Sequence, residues 1–152
     1  MKLSPATPRL GGVRIVRYLL GVFFVIAGAN HFVSPDVYLE MMPSWLPLHG
    51  PAVFWSGVAE VAGGLMLFFD RTAKAGGVFL ILLLVAVFPA NVNAAIDPGS
   101  VPWLESNDVP SWLLWARLPL QPLLGALIWV STRGEEYRST AQEGPKSPSR
   151  PS

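Results

Sequence analysis

The sequence predicts an all-α protein, a transmembrane bundle of four helices with both termini in the cytoplasm. Hydrophobic residues make up 51% of the 152 residues and charged residues only 14%, whereas about 25% is charged in soluble domains. Residues 73–93 contain the run VFLILLLVAVF, which would form a helix with no polar face. A chain of this length has no interior large enough to bury such a helix, so lipid is its expected solvent.

Four apolar segments are long enough to cross a hydrocarbon core of roughly 30 Å at about 1.5 Å per residue. They are predicted at residues 13–32, 51–69, 73–93 and 110–131, within a membrane domain of residues 13–132. Residues 1–12 form a polar arm, and residues 133–152 are expected to be a disordered cytoplasmic tail because they are rich in Ser, Pro, Gly and charge.

The connections between these segments contain turn formers and short helical patterns. Asp70, Arg71 and Thr72 are predicted to make a tight turn between the second and third spans. Residues 35–47 suit a short amphipathic helix in the membrane interface. Pro110 suits the first turn of the fourth helix, with Asp108 as its cap.

The first span has a competing interpretation as a secretory signal. A basic segment precedes its apolar run, and Ala27-Gly28-Ala29 matches a cleavage site of the A-x-A type. The span is nevertheless long enough to cross if Arg14 and Arg17 extend to the headgroup layer. Three further spans follow it, which favours a membrane helix.

The basic residues determine the predicted orientation. Two long connections, residues 33–52 and 94–110, contain no Lys or Arg. Ten of the eleven basic residues therefore lie on one side of a four-span membrane protein, and the positive-inside rule makes that side cytoplasmic. The expected location is the cell (cytoplasmic) membrane.

Composition also excludes several activities. The chain has no cysteine, so thiol exchange and iron–sulfur or thiolate metal sites are excluded for this chain alone. A net charge of +1 with basic residues at membrane flanks gives no reason to expect nucleic acid. His31 and His49 could ligate a haem only as a remote alternative, since one lies in a connection, and no metal site is predicted.

Two charged residues interrupt the spans, Glu60 in the second and Arg117 in the fourth. Ionisable groups at membrane depth are expensive unless they are paired. Counted from the outer side, Glu60 lies roughly 13 Å deep and Arg117 roughly 9 Å deep. This arithmetic predicts an ion pair between Glu60 and Arg117.

Further polar residues share the outer half of the spans and exceed what one ion pair requires. Surplus polarity of this kind is tolerated where it lines a water-filled or ligand-filled space. We therefore expect an outward-facing pocket that binds a small polar or quinone-like molecule. Its candidate residues are Asn30, His31, Glu60, Asn91, Asn93, Arg117 and Gln121.

A structural alternative stays open for the same residues. A buried ion pair surrounded by amides can simply fix the register of a bundle. His31 can be an interfacial histidine or a cap, and Asn91 and Asn93 can satisfy a loosened helix end. Ser56, Gly57, Gly63 and Gly64 flank Glu60 as a small-residue face that lets another helix approach closely.

Several short motifs, taken together, resemble the DoxX and DoxX-like membrane proteins over about residues 13–131. They are Leu20-Gly21, Ala27-Gly28-x-x-His31-Phe32 with Pro35, Met42-Pro43 with Leu46-Pro47, Ser56-Gly57-x-x-Glu60 with Gly63-Gly64, Phe88-Pro89-Ala90-Asn91-Val92 and Arg117-Leu118-Pro119-Leu120-Gln121.

The resemblance implies a four-helix membrane bundle associated with redox or detoxification partners. The best-known member of that family is the small subunit of a thiosulfate:quinone oxidoreductase. The chain is thus expected to be a membrane subunit or accessory of a quinone-linked system, with a redox partner protein and quinone as the candidate ligand. No covalently bound cofactor is expected. The alternative is an accessory membrane protein without catalytic activity, and we do not expect a complete enzyme in this chain.

Overall fold

The computed structural model describes residues 9–108 and 110–133, and this part of the chain is helical and contains no β-strand. Four helices are long and two are short. The long helices are α1 (Arg9–Val33), α3 (His49–Met66), α4 (Asp70–Ile96) and α6 (Trp112–Arg133), and the short ones are α2 (Pro35–Glu40) and α5 (Pro102–Ser106). A 3-10 turn, Pro98–Ser100, follows α4.

Three of the described helices are long and apolar enough to cross a membrane. They are α1 from Gly12 onward, α4 and α6. Their outward faces carry large exposed apolar side chains, among them Leu19, Leu82 and Val130. The 18-residue helix α3 contains His49 and Glu60, and it is not among these three.

The four long helices pack as a ring. α1 packs mainly against α3 and α6, and α4 packs mainly against α3 and α6. Neighbouring helices are antiparallel, because Arg17 at the start of α1 contacts Asp70 just after α3, whereas His31 near the end of α1 contacts Val53 at the start of α3. α1 and α4 are therefore diagonal to each other in the ring, as are α3 and α6.

Glycines bring the backbones of α1 and α3 into close contact. A Cβ atom on Gly28 would lie 2.7 Å from the carbonyl oxygen of Gly57, and one on Gly64 would lie 2.8 Å from the carbonyl oxygen of Gly21. Both glycine pairs are separated by about two helical turns, so they form one continuous seam. The small-residue face predicted around Glu60 is confirmed.

Charged residues gather at the end of the ring where α1 begins. Arg17 is only 2% exposed and donates a hydrogen bond to the Asp70 carboxylate, while Arg14 lies 3.8 Å from the same group. Arg17 was predicted to extend to a headgroup layer, and the structure shows that its side chain is buried and contacts Asp70. The acid at the start of α4 offers it a nearer partner, and this contact fixes α1 against the α3–α4 turn.

The helix boundaries correct several predictions. α1 begins at Arg9, inside the predicted polar arm, and α4 begins at Asp70, so the turn lies at residues 67–69. α6 begins at Trp112, and Asp108 has a φ of 52°, so Asp108 does not cap this helix. The predicted tail lies outside the described residues, apart from Arg133.

We expect the substitution Gly64→Ala to destabilise the fold, because its Cβ would meet backbone atoms of α1 that cannot rotate away. Overpacking of this kind costs about 1–3 kcal/mol. The apparent melting temperature in mild detergent should fall. Gly125→Ala is the matched control, since a Cβ there meets nothing within 4 Å and alanine favours a helix by about 0.5–1 kcal/mol. Equal melting temperatures for the two variants would contradict the seam.

Candidate functional site

A partly enclosed cavity of about 420 Å³ lies at the end of the ring opposite Asp70. Its walls come from the end of α1, the start of α3, the second half of α4 and Arg117 of α6, and residues 38–46 cover one side. The polar or aromatic lining residues are His31, Tyr38, Trp45, Trp55, Ser56, Glu60, Asn91 and Arg117. Most of the remaining lining is Met, Leu, Val, Ala and Pro, as is usual for small-molecule sites.

His31 is held in one orientation by three contacts. Its Nδ1 atom lies 3.0 Å from the carbonyl oxygen of Val53, and its ring stacks on Tyr38 at a centroid distance of 3.7 Å. The Ser56 hydroxyl, 3.1 Å from the same Nδ1, donates its own proton to the Val53 carbonyl at 2.9 Å. We assign the proton of a neutral His31 to Nδ1, because the carbonyl oxygen of Val53 can only accept.

With Nδ1 engaged, the second ring nitrogen of His31 faces Glu60. Nε2 lies 3.7 Å from Oε2 of Glu60. This oxygen is buried and has no hydrogen-bond partner among the described residues. The seam of glycines creates this proximity, since the site of a Cβ on Gly57 is 2.7 Å from the Cβ of His31, and that on Gly28 is 2.8 Å from the Cβ of Glu60.

The predicted ion pair between Glu60 and Arg117 is not formed among the described residues. Glu60 faces His31, and Nη1 of Arg117 lies 3.1 Å from the sulfur of Met41. The two residues belong to α3 and α6, which are diagonal in the ring. Similar depth in the membrane was therefore not sufficient to bring them together. Both nevertheless line the cavity.

The predicted pocket residues divide into two groups. His31, Glu60, Asn91 and Arg117 line the cavity, whereas Asn30, Asn93 and Gln121 do not. The Asn30 amide donates to the Tyr38 hydroxyl at 3.0 Å and lines a separate groove along the end of α1. Gln121 donates to the carbonyl oxygen of Leu84 at 3.2 Å and lines a separate groove between α4 and α6.

The sequence did not single out two residues that complete the site. Tyr38 supplies the surface on which His31 stacks, and Met41 supplies the sulfur contacted by Arg117. Both belong to the segment predicted as a short interfacial helix, of which Pro35–Glu40 is helical. The prediction of that helix was the available signal, but its packing onto the end of α1 is not visible in the local pattern.

The described residues contain no group of three or more His, Asp or Glu side chains able to hold a metal ion. The polar groups of the cavity are instead a histidine–carboxylate pair, an amide and a guanidinium. Such groups can donate and accept hydrogen bonds and hold a proton, and the apolar walls exclude water from part of a bound molecule.

The fold and the site of the described residues define a class of protein: it is helical, three of its helices are able to cross a membrane, and a cavity at one end combines apolar walls with a few polar groups. Residues 20–132 match the family model described as a domain of unknown function, DUF8561. This match covers well over half of the chain, so the chain belongs to that family. No curated protein and no solved structure matches the chain.

Double-mutant cycles should distinguish the observed contact between His31 and Glu60 from the predicted contact between Glu60 and Arg117. We predict that His31→Gln and Glu60→Gln are coupled in unfolding free energy by about 0.5–3 kcal/mol, because the two side chains face each other. Arg117→Met and Glu60→Gln should be additive within about 0.5 kcal/mol. Thermal unfolding of each set in the same detergent provides the comparison, and strong coupling of Glu60 to Arg117 alone would contradict the geometry.

Proposed function

We propose that the chain is an integral protein of the cytoplasmic membrane with four spans and both ends in the cytoplasm. Of the four proposed spans, α3 is the one that length and composition alone do not identify as able to cross a membrane. With 18 residues it is about 27 Å long, close to the thickness of a hydrocarbon core. It runs antiparallel to α1 along the glycine seam, so a membrane crossed by α1 is crossed by α3 as well.

Charge supports the proposed orientation. The contact of Arg14 and Arg17 with Asp70 places the basic residues Arg71 and Lys74 at the start of α1. Gly77 lies against Thr132, which brings Arg133 to the same end. The connections at the opposite end contain only acidic charges. Under the positive-inside rule, the first end is cytoplasmic and the cavity opens toward the outside.

Topology reporters fused after residues 40, 72, 104 and 140 should report outside, inside, outside and inside. Position 72 is decisive, because it follows α3. If α3 does not cross, the reporters at 40 and 72 will lie on the same side. A second reporter, active only in the opposite compartment and fused in frame at the same four positions, serves as the control for fusion artefacts.

The proposed function of the cavity is to bind a small polar or quinone-like molecule. One observation carries this proposal: Arg117 and the His31–Glu60 pair line the same cavity without neutralising each other. A volume of about 420 Å³ lies within the range of roughly 300–1,000 Å³ typical of ligand sites. Aromatic and methionine side chains suit the faces of a flat ring, while the polar groups suit its oxygen atoms.

The proposed biological role is that of a membrane subunit or accessory of a quinone-linked redox system. This step rests on the resemblance of the sequence motifs to DoxX proteins, and a redox partner protein would supply or receive the electrons. Four of the residues that carry the resemblance, His31, Glu60, Asn91 and Arg117, line the cavity. The motif residues that resemble DoxX proteins thus include residues that line the cavity.

A structural role is the second candidate, and two hydrogen bonds favour it for part of the polar set. Asn30 bonds Tyr38, and Gln121 bonds the carbonyl oxygen of Leu84. The first bond joins α1 to α2 and the second joins α6 to α4, and neither Asn30 nor Gln121 lines the cavity. Under this alternative the cavity would bind no molecule, and its lining residues would affect only stability.

Binding of tetramethyl-1,4-benzoquinone to the purified protein in mild detergent distinguishes the two roles. We expect saturable binding that Arg117→Met and Asn91→Leu weaken by about tenfold or more, because each removes hydrogen-bond donors from the cavity. Asn93→Leu is the matched control, since Asn93 lies outside the lining, and it should bind normally. Lipid extracts of the purified protein should also contain quinone. Absence of saturable binding would support the structural role.

A further inference from the structure

Building on the proposed binding function, we infer that the His31–Glu60 pair holds one proton and offers it as a hydrogen-bond donor to a ligand that has only acceptors. A quinone is such a ligand, because its ring oxygens are carbonyls. Binding of the quinone therefore requires the protonated pair, whereas the corresponding quinol, which brings its own hydroxyl donors, does not require it.

The proton count follows from the fixed orientation of His31. Nδ1, to which we assign the proton, lies against the carbonyl oxygen of Val53, and Nε2 is the nitrogen that faces Oε2 of Glu60 at 3.7 Å. Without a further proton, two lone-pair acceptors and a net negative charge would face each other between largely apolar walls, which is unfavourable. One proton, on either residue, makes the pair neutral. The pair titrates as a unit.

The other charged or titratable groups that line the cavity around the pair come from α2 and α6. Apart from His31 and Glu60, the charged or titratable residues among those that line the cavity are Tyr38 from α2 and Arg117 from α6. α4 contributes Asn91, which is uncharged. His49 at the start of α3 faces the carbonyl oxygen of Pro43.

The positions of the donors indicate what kind of molecule can use them. Arg117 comes from α6 and the pair from α1 and α3, so the donors stand on separate walls. Within the described part of the chain, the guanidinium donates a hydrogen bond only to a thioether sulfur, a weak acceptor, and keeps other N–H groups for a ligand. A ring with acceptors at opposite ends can bridge the two walls. One carbonyl would bind Arg117 and the other would bind the proton of the pair.

The test compares the quinone with its quinol across pH in the full-length protein. The affinity for tetramethyl-1,4-benzoquinone should fall as the pH rises and the pair loses its proton, by up to about tenfold per pH unit. The affinity for its quinol, measured without oxygen, should lack this fall. The substitution Glu60→Gln should abolish the slope for the quinone, since an amide donates at every pH.

Glu40→Gln is the matched control, because this acid lies outside the cavity and accepts a hydrogen bond from the backbone N–H of Trp103 at 2.8 Å. The slope should persist in this variant. Quinone binding that is independent of pH, or a slope that survives Glu60→Gln, would overturn the inference while leaving the binding function in place. No quinone binding at any pH would instead contradict the proposed function, and this inference with it.

Discussion

The close contact between α1 and α3 determines where the chemistry of this protein lies. Gly28 gives room to Glu60 of the opposite helix, and Gly57 gives room to His31. This exchange is reciprocal, because each ionisable residue lies one helical turn beyond the glycine of its own helix. A larger residue at either glycine would meet backbone atoms and separate the helices. The same contact therefore packs the fold and sets the distance between His31 and Glu60.

The opposite end of the ring depends on a different kind of contact. Arg17 is buried there against Asp70, and this acid lies at the start of α4, so one ion pair joins α1 to the turn that leaves α3. A buried guanidinium without an anion would be strongly unfavourable. The glycine seam and this ion pair together fix both ends of α1 relative to α3. The cavity can then stay open at one end without loosening the other.

The sequence predicted the positions of the long helices better than it predicted which helices are adjacent in the bundle. Apolar runs located the long helices, and the spacing of Ser56, Gly57, Gly63 and Gly64 predicted a close helix contact that the structure confirms. The ion pair of Glu60 with Arg117 was wrong, since depth along two helices does not say whether those helices are adjacent. His31 could not be ranked from sequence for a similar reason. Its orientation depends on Tyr38 and Val53, which approach from two other helices.

The missing ion pair has a physical consequence for the cavity. α3 and α6 are diagonal in the ring, and each is held by its own neighbours, α3 by the glycine seam and α6 by the packing of Thr132 against Gly77. Glu60 and Arg117 thus stand on walls that the packing keeps apart. Met41, which is itself buried, gives the guanidinium only a weak acceptor. Polar groups that the fold itself cannot join are the groups that a bridging ligand can satisfy.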